Sequence, residues 1–168
     1  MTSSANDHDL LGRFLALSVD LTAFSEFELQ GTGLATDYLA AVRTVVGEKV
    51  VTDLLAAHRE ARSAAGDDPA ALERALRHRV LSDERLGPVA RNIIKLWYAG
   101  AWYELPSEWT EAFGARVADR TFFVSPAAYT EGLLWPAIGA NPPGAKAPGF
   151  GSWAAPPRID ERYLKGRL

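Results

Sequence analysis

Along the first hundred residues, apolar side chains recur at helical spacing. Leu10, Phe14, Leu17, Leu21 and Phe24 follow one another at alternating four- and three-residue steps, which places them on one face of an α-helix. This pattern predicts a helix over about Asp7–Glu26, with Asp7 or Asp9 as its N-cap. Gly31-Thr32-Gly33 breaks the chain, and Leu34, Tyr38, Val42 and Val45 then mark a second helix. Gly47 interrupts it. Val50, Val51, Leu54, Leu55 and His58 mark a third, running to about Ser63. In Gly66-Asp67-Asp68-Pro69 a stop is followed by a fresh start, an Asp N-cap with Pro at the first helical position. A short helix over Ala70–Arg79 follows. Ser82-Asp83 opens another, with Leu86, Val89, Ile93, Leu96 and Trp97 as its stripe up to Gly100, and Pro88 in the tolerant first turn. No alternating strand pattern and no internal repeat interrupts this series.

The last third reads differently. Thirteen of the 17 aromatic residues lie after Leu96, including all five tryptophans, and six of the ten prolines fall between Pro136 and Pro157. Between Thr121 and Pro157 the only charged residues are Glu131 and Lys146. Such a stretch is too apolar for a solvated linker and too rich in Pro and Gly for a helix or central strand. Ser125 before Pro126 predicts a cap on a turn or short helix through Tyr129 and Gly132. The expected fold is mainly α: one domain, with a bundle of about five helices over residues 7–120 and a long irregular Pro/Gly/aromatic-rich strap over 121–168. Gly144, Gly149 and Gly151 are its expected structural glycines, needed for positive φ or close backbone approach.

Charge and composition exclude several functions. At 168 residues with a net charge of −3 and no basic block, the chain lacks the stripe that neutralises nucleic-acid phosphates. Without cysteine there are no thiolate metal sites, disulfides or cysteine nucleophiles. No segment reaches the length and apolarity of a membrane span. The polar, acidic start has no secretory pattern, so the chain alone is expected in the cytoplasm.

Catalytic and cofactor motifs are absent from the pattern. His8, His58 and His78 have no ligand-spaced partners; His8 sits in a polar tail, His78 between two arginines, and His58 at the edge of the core. Gly144-x-x-x-x-Gly149 is followed by Phe150-Gly151 and lacks the lysine and hydroxyl of a phosphate loop. Gly31-x-Gly33 lacks the third glycine and preceding strand of a dinucleotide fingerprint. Catalytic, cofactor and metal residues are therefore expected to be none. The aromatic run Trp97, Tyr98, Trp102, Tyr103 and Trp109 fits two readings, packing at the base of the bundle or anchoring a partner. Trp97, Tyr98, Trp102, Tyr129, Trp135, Phe150 and Trp153 are the candidate partner-interface residues, the last three as principal anchors. Two alternatives stay open: a stand-alone helical module that stacks sugars on Trp102 or Trp153, and a small hydrolase using Glu104, Glu108 or Glu131.

Three blocks carry a family resemblance. Phe14-Leu15-Ala16-Leu17-Ser18 with Leu21-Thr22-Ala23-Phe24 resembles the start of the mature small subunit of membrane-bound, FAD-containing D-sorbitol dehydrogenases. Ile93-Ile94-Lys95-Leu96-Trp97-Tyr98-Ala99-Gly100-Ala101-Trp102 resembles that family's central block. Val124 to Trp135, running into Gly144 to Trp153, resembles its C-terminal signature. The likeness spans about residues 10–157. It implies a non-catalytic accessory subunit that assists folding, stability or export of a large catalytic subunit of the glucose–methanol–choline (GMC) type. FAD would reside in that subunit, and haem c in a third, cytochrome c subunit. The complex would be periplasmic and membrane-associated through its partners. The family's small subunits commonly carry a twin-arginine signal, and no adjacent arginines occur in this sequence.

Overall fold

The computed structural model describes residues 2–114 and 118–142 of the chain, and the architecture is mainly α. The first helix, α1, spans Thr2–Thr22. It begins earlier than its apolar stripe implies, so neither Asp7 nor Asp9 caps it. Asp9 instead pairs with Arg13 one turn on, and Asp7 reaches Arg43 of the third helix. It also ends before Glu26. Thr22 turns its hydroxyl back onto the Ser18 carbonyl, and Ala23 takes the left-handed conformation at φ 62°. Ser25 and Glu28 then form a reciprocal capping box that starts a separate short helix, α2, at Glu26–Gly31. Local capping thus overrides the apolar periodicity that runs through Phe24.

The next elements follow the sequence pattern closely. Helix α3 (Ala35–Val46) and helix α4 (Glu48–Ala65) are separated by Gly47 at φ 83°. Asp68 accepts from the Ala70 amide and Pro69 opens α5 (Pro69–Leu76). That helix widens into a single π-helical turn, Arg77–Leu81, closed by Ser82 N–H to the Arg77 carbonyl. The Asp83 carboxylate accepts from the amides of Arg85 and Leu86 and so starts α6, Leu86–Ala99.

Helix α6 is the central element, packed against α1, α3, α4 and the π turn. Its predicted stripe, Leu86, Val89, Ile93, Leu96 and Trp97, is buried with Phe14, Leu17, Tyr38, Val42, Leu54 and Leu55 in one continuous core. Beyond it the chain is more ordered than its composition implies. Strand β1 (Ala101–Trp102) pairs antiparallel with β2 (Phe122–Phe123), in the register Ala101 to Phe123 and Trp102 to Phe122, with helix α7 (Ser107–Phe113) between them. Two short helices follow, α8 (Pro126–Thr130) and α9 (Leu134–Ile138). Ser125 caps α8 as its position before Pro126 predicts. The part of the strap over 121–142 is therefore folded onto the end of α6. The rest of the expected strap, with Gly144, Gly149, Gly151, Phe150 and Trp153, lies outside the described residues.

Candidate partner-docking surface

The aromatic residues singled out from sequence divide by location. Trp97 is 1% exposed, with its ring stacked on Phe14 and Tyr38 edge-on to it at 4.9 Å. Trp102 is 0% exposed, and its indole N–H donates to Asp119 Oδ1 at 2.9 Å. Both rings are used up by the chain's own core and cannot touch a partner. Tyr98 is half-buried beneath α1, its ring edge-on to Phe24 and its hydroxyl donating to the Thr22 carbonyl; burial raises the pKa of its phenol. Trp109 donates to the Arg85 carbonyl and is buried as well. Tyr129 and Trp135 are different. They meet edge to face at 5.4 Å, with the Trp135 indole donating to the Tyr129 carbonyl, and both reach the surface.

Around them lies further apolar surface, outside the candidate interface residues. Phe123 is 66% exposed, and Leu134 and Ile138 are also exposed. The alternation along β2 explains Phe123: Phe122 turns toward the core, so Phe123 must point away from it. Phe123, Val124, Pro126 and Tyr129 line an open hollow of about 460 Å³. A second hollow, about 410 Å³, lies between α2 and residues 130–142; Phe24, Glu28, Glu131, Leu133 and Trp135 line it.

These side chains sit on a well-anchored platform. Leu133 N–H donates to the Trp97 carbonyl and Val124 N–H to the Gly100 carbonyl. Gly100, at φ 71°, lets α8 approach so closely that a Cβ there would lie 2.4 Å from the Ala128 carbonyl oxygen. Asn92, buried in α6, holds Tyr103 by both backbone groups, donating to its carbonyl and accepting from its amide. The short elements that carry the exposed aromatics are therefore tied by backbone bonds to the C-terminal end of α6.

The polar cluster that stands out is one the sequence did not suggest. Asp20 of α1 accepts from His58 Nε2 at 2.7 Å and from Nε and Nη2 of Arg62, both on α4. The Asp20 and His58 side chains are buried. Burial pushes the Asp20 carboxyl up, but the hydrogen bonds and charges of His58 and Arg62 outweigh this and hold it below the ordinary aspartate range. The same bonds raise Arg62. Its components are 38 and 42 residues apart in the chain, so no local motif could have revealed it. His8 and His78 are exposed. Glu104 follows β1, Glu108 lies on α7 and Glu131 follows α8. Among the described residues no group of three His, Asp or Glu side chains is placed to hold a metal, and no helix is long and apolar enough to cross a membrane.

No family model, curated protein or solved structure matches the chain.

Proposed function

We propose that the chain is the non-catalytic small subunit of a heteromeric, FAD-dependent sugar or polyol dehydrogenase of the sorbitol type. The observation that carries this reading is the rigid apolar platform of Phe123, Tyr129, Leu134 and Ile138, exposed on short elements pinned to α6. Aromatic and aliphatic anchors of this kind concentrate interface energy, each contributing about 2–3 kcal/mol when buried. A second support is spatial. The two more distinctive blocks of the family resemblance, 93–102 and 124–135, pack directly against each other through the Trp97–Leu133 and Gly100–Val124 backbone bonds. In this reading the platform covers apolar surface on a large GMC-type subunit, which holds FAD and performs the oxidation. The small subunit acts as a chaperone-like clamp on that subunit's folding, stability or export, and a cytochrome c subunit takes the electrons onward at the periplasmic face of the membrane.

The test is co-purification. The tagged chain is expressed in its native host and the captured proteins are identified by mass spectrometry and flavin absorbance. Capture of a stoichiometric GMC-type flavoprotein by wild type, lost in Phe123→Ser/Leu134→Ser with an unchanged melting temperature, is the expected result. Capture of no flavoprotein, or turnover of a sugar by the isolated chain, overturns the reading. Calorimetry of the isolated chain with polyols and hexoses separates it from a stand-alone sugar-binding module.

A further inference from the structure

The two-strand ribbon leaves one of its edges open. In the register Ala101 to Phe123 and Trp102 to Phe122, the Val124 N–H donates to the Gly100 carbonyl at 3.1 Å. Opposed residues in an antiparallel ladder alternate between pairs that exchange both backbone bonds and pairs that exchange none. The Gly100–Val124 bond therefore makes Ala101–Phe123 a pair that exchanges none, and the N–H and C=O of both residues point outward from the ribbon. Ala101 is only 3% exposed, so its edge lies against the core. Phe123 is 66% exposed, and among the described residues no hydrogen bond engages its N–H or C=O.

Native sheets commonly blunt an open edge with charged side chains or proline. The edge of β2 has neither: Thr121, Phe122, Phe123 and Val124 all favour strands, and no charged residue occurs from Thr121 to Thr130. Thr121, like Phe123, is exposed. Phe123, Val124, Pro126 and Tyr129 also line the open hollow next to this strand. A strand added here runs about 4.8 Å from β2, which sets its side chains on one face beside the Phe123 ring. Covering an uncharged surface desolvates no ion, so the edge matches an uncharged segment with apolar residues at alternate positions.

We infer that the outer edge of β2 is a strand-addition site, at which an extended, uncharged segment of the large subunit pairs with the Phe123 N–H and C=O. Its alternate apolar side chains pack beside the Phe123 ring. Backbone bonds of this kind supply affinity, and the side chains that alternate along the added strand supply selectivity. This rests on the accessory-subunit reading for the owner of the segment, and adds a backbone contact to the side-chain platform formed by residues 121–142.

The probe is a fluorescein-labelled hexapeptide of alternating threonine and valine, with the same peptide N-methylated at every amide as control. Anisotropy with the full chain is expected to show binding of the first and none of the second. Amide exchange followed by NMR locates the contact. The Phe123 amide should exchange freely in the chain alone and about tenfold or more slower with the peptide, while the Phe122 amide, which faces β1, is slow in both. Phe123→Pro removes the outward donor and breaks no bond to β1, so it should weaken binding about tenfold at an unchanged melting temperature. If that variant does not fold, the wild-type exchange decides. No peptide binding, binding of the methylated peptide, equal binding by a folded Phe123→Pro, or a Phe123 amide left unprotected by the peptide overturns the inference. So does a Phe123 amide already protected in the chain alone, whether by another part of the chain or, where sedimentation shows a dimer, by a second copy. The flavoprotein capture separates the two proposals. Peptide pairing at Phe123 without capture of a flavoprotein keeps the edge site and sinks the accessory-subunit reading. A captured complex in which the Phe123 amide still exchanges freely sinks the edge site and keeps that reading.

Discussion

At the scale of single residues, the structure separates conformational need from spatial need. Gly33 and Gly100 share a φ of 71°, but a Cβ on Gly33 would meet nothing within 4 Å, whereas on Gly100 it would press on the Ala128 backbone. Gly33→Ala should therefore cost about 1 kcal/mol, the strain of a left-handed alanine. Gly100→Ala should cost about 2–4 kcal/mol, because overpacking adds to the same strain. Denaturant melts of the two variants check this; equal losses would mean that α8 yields easily. The sequence places Gly100 at the end of its helix through the apolar stripe that stops there. Its second role is invisible in sequence, since Ala128 lies far along the chain.

At the scale of elements, side-chain bonds between distant segments decide how the helices lock together. The Asp20–His58–Arg62 cluster ties α1 to α4. Because the folded carboxyl of Asp20 titrates below its unfolded value, its stabilisation is present above about pH 4 and is lost as pH falls through the depressed folded value. Asp20→Asn should lower stability at neutral pH by on the order of 1–2 kcal/mol, a figure reduced because Arg62 is half exposed. It should also flatten the acid limb of the stability profile. Urea melts from pH 7 to pH 3 measure both, and a parallel wild-type and variant profile would show that the cluster contributes nothing pH-dependent. Asp119 performs a similar task for the C-terminal elements, accepting from the Trp102 indole and the Leu105 amide. Asp119→Ala leaves a fully buried indole N–H unpaired and should cost about 1–3 kcal/mol, with a shift in tryptophan fluorescence as its signature. The short α2 shows the reverse balance. Its capping box, Ser25-x-x-Glu28, is written in local sequence, and it overrode a longer apolar period that pointed to one continuous helix.

For the molecule as a whole, one core links α1, α3, α4 and α6 to the β1–β2 ribbon and the two short helices. Circular dichroism and tryptophan fluorescence should therefore report a single coincident unfolding transition; two separated transitions would mean that the C-terminal elements fold independently. Trp97 lies at the centre of this core, so Trp97→Ala should cost about 3–5 kcal/mol. Phe27→Ala, at an 85% exposed ring, should leave the same melt nearly unmoved. That contrast separates rings that hold the chain together from rings left at its surface.

The helices from α3 to α6, and the side chains that face their common core, were legible because helical periodicity and Gly, Pro and Asp punctuation act over a few residues. The apolar excess of the last third was legible as well, since it is a matter of composition. Only the tertiary structure decided which aromatics lie inside. Trp97, Trp102, Tyr129 and Trp135 look equivalent as letters, yet the first two are enclosed by Phe14, Tyr38 and Asp119 from elsewhere in the chain, and the last two pack on each other at the surface. Burial is a sum over neighbours in space, so residues far apart in sequence set it, as they set the pairing of Asp20 with His58 and the exposure of Phe27 and Phe123.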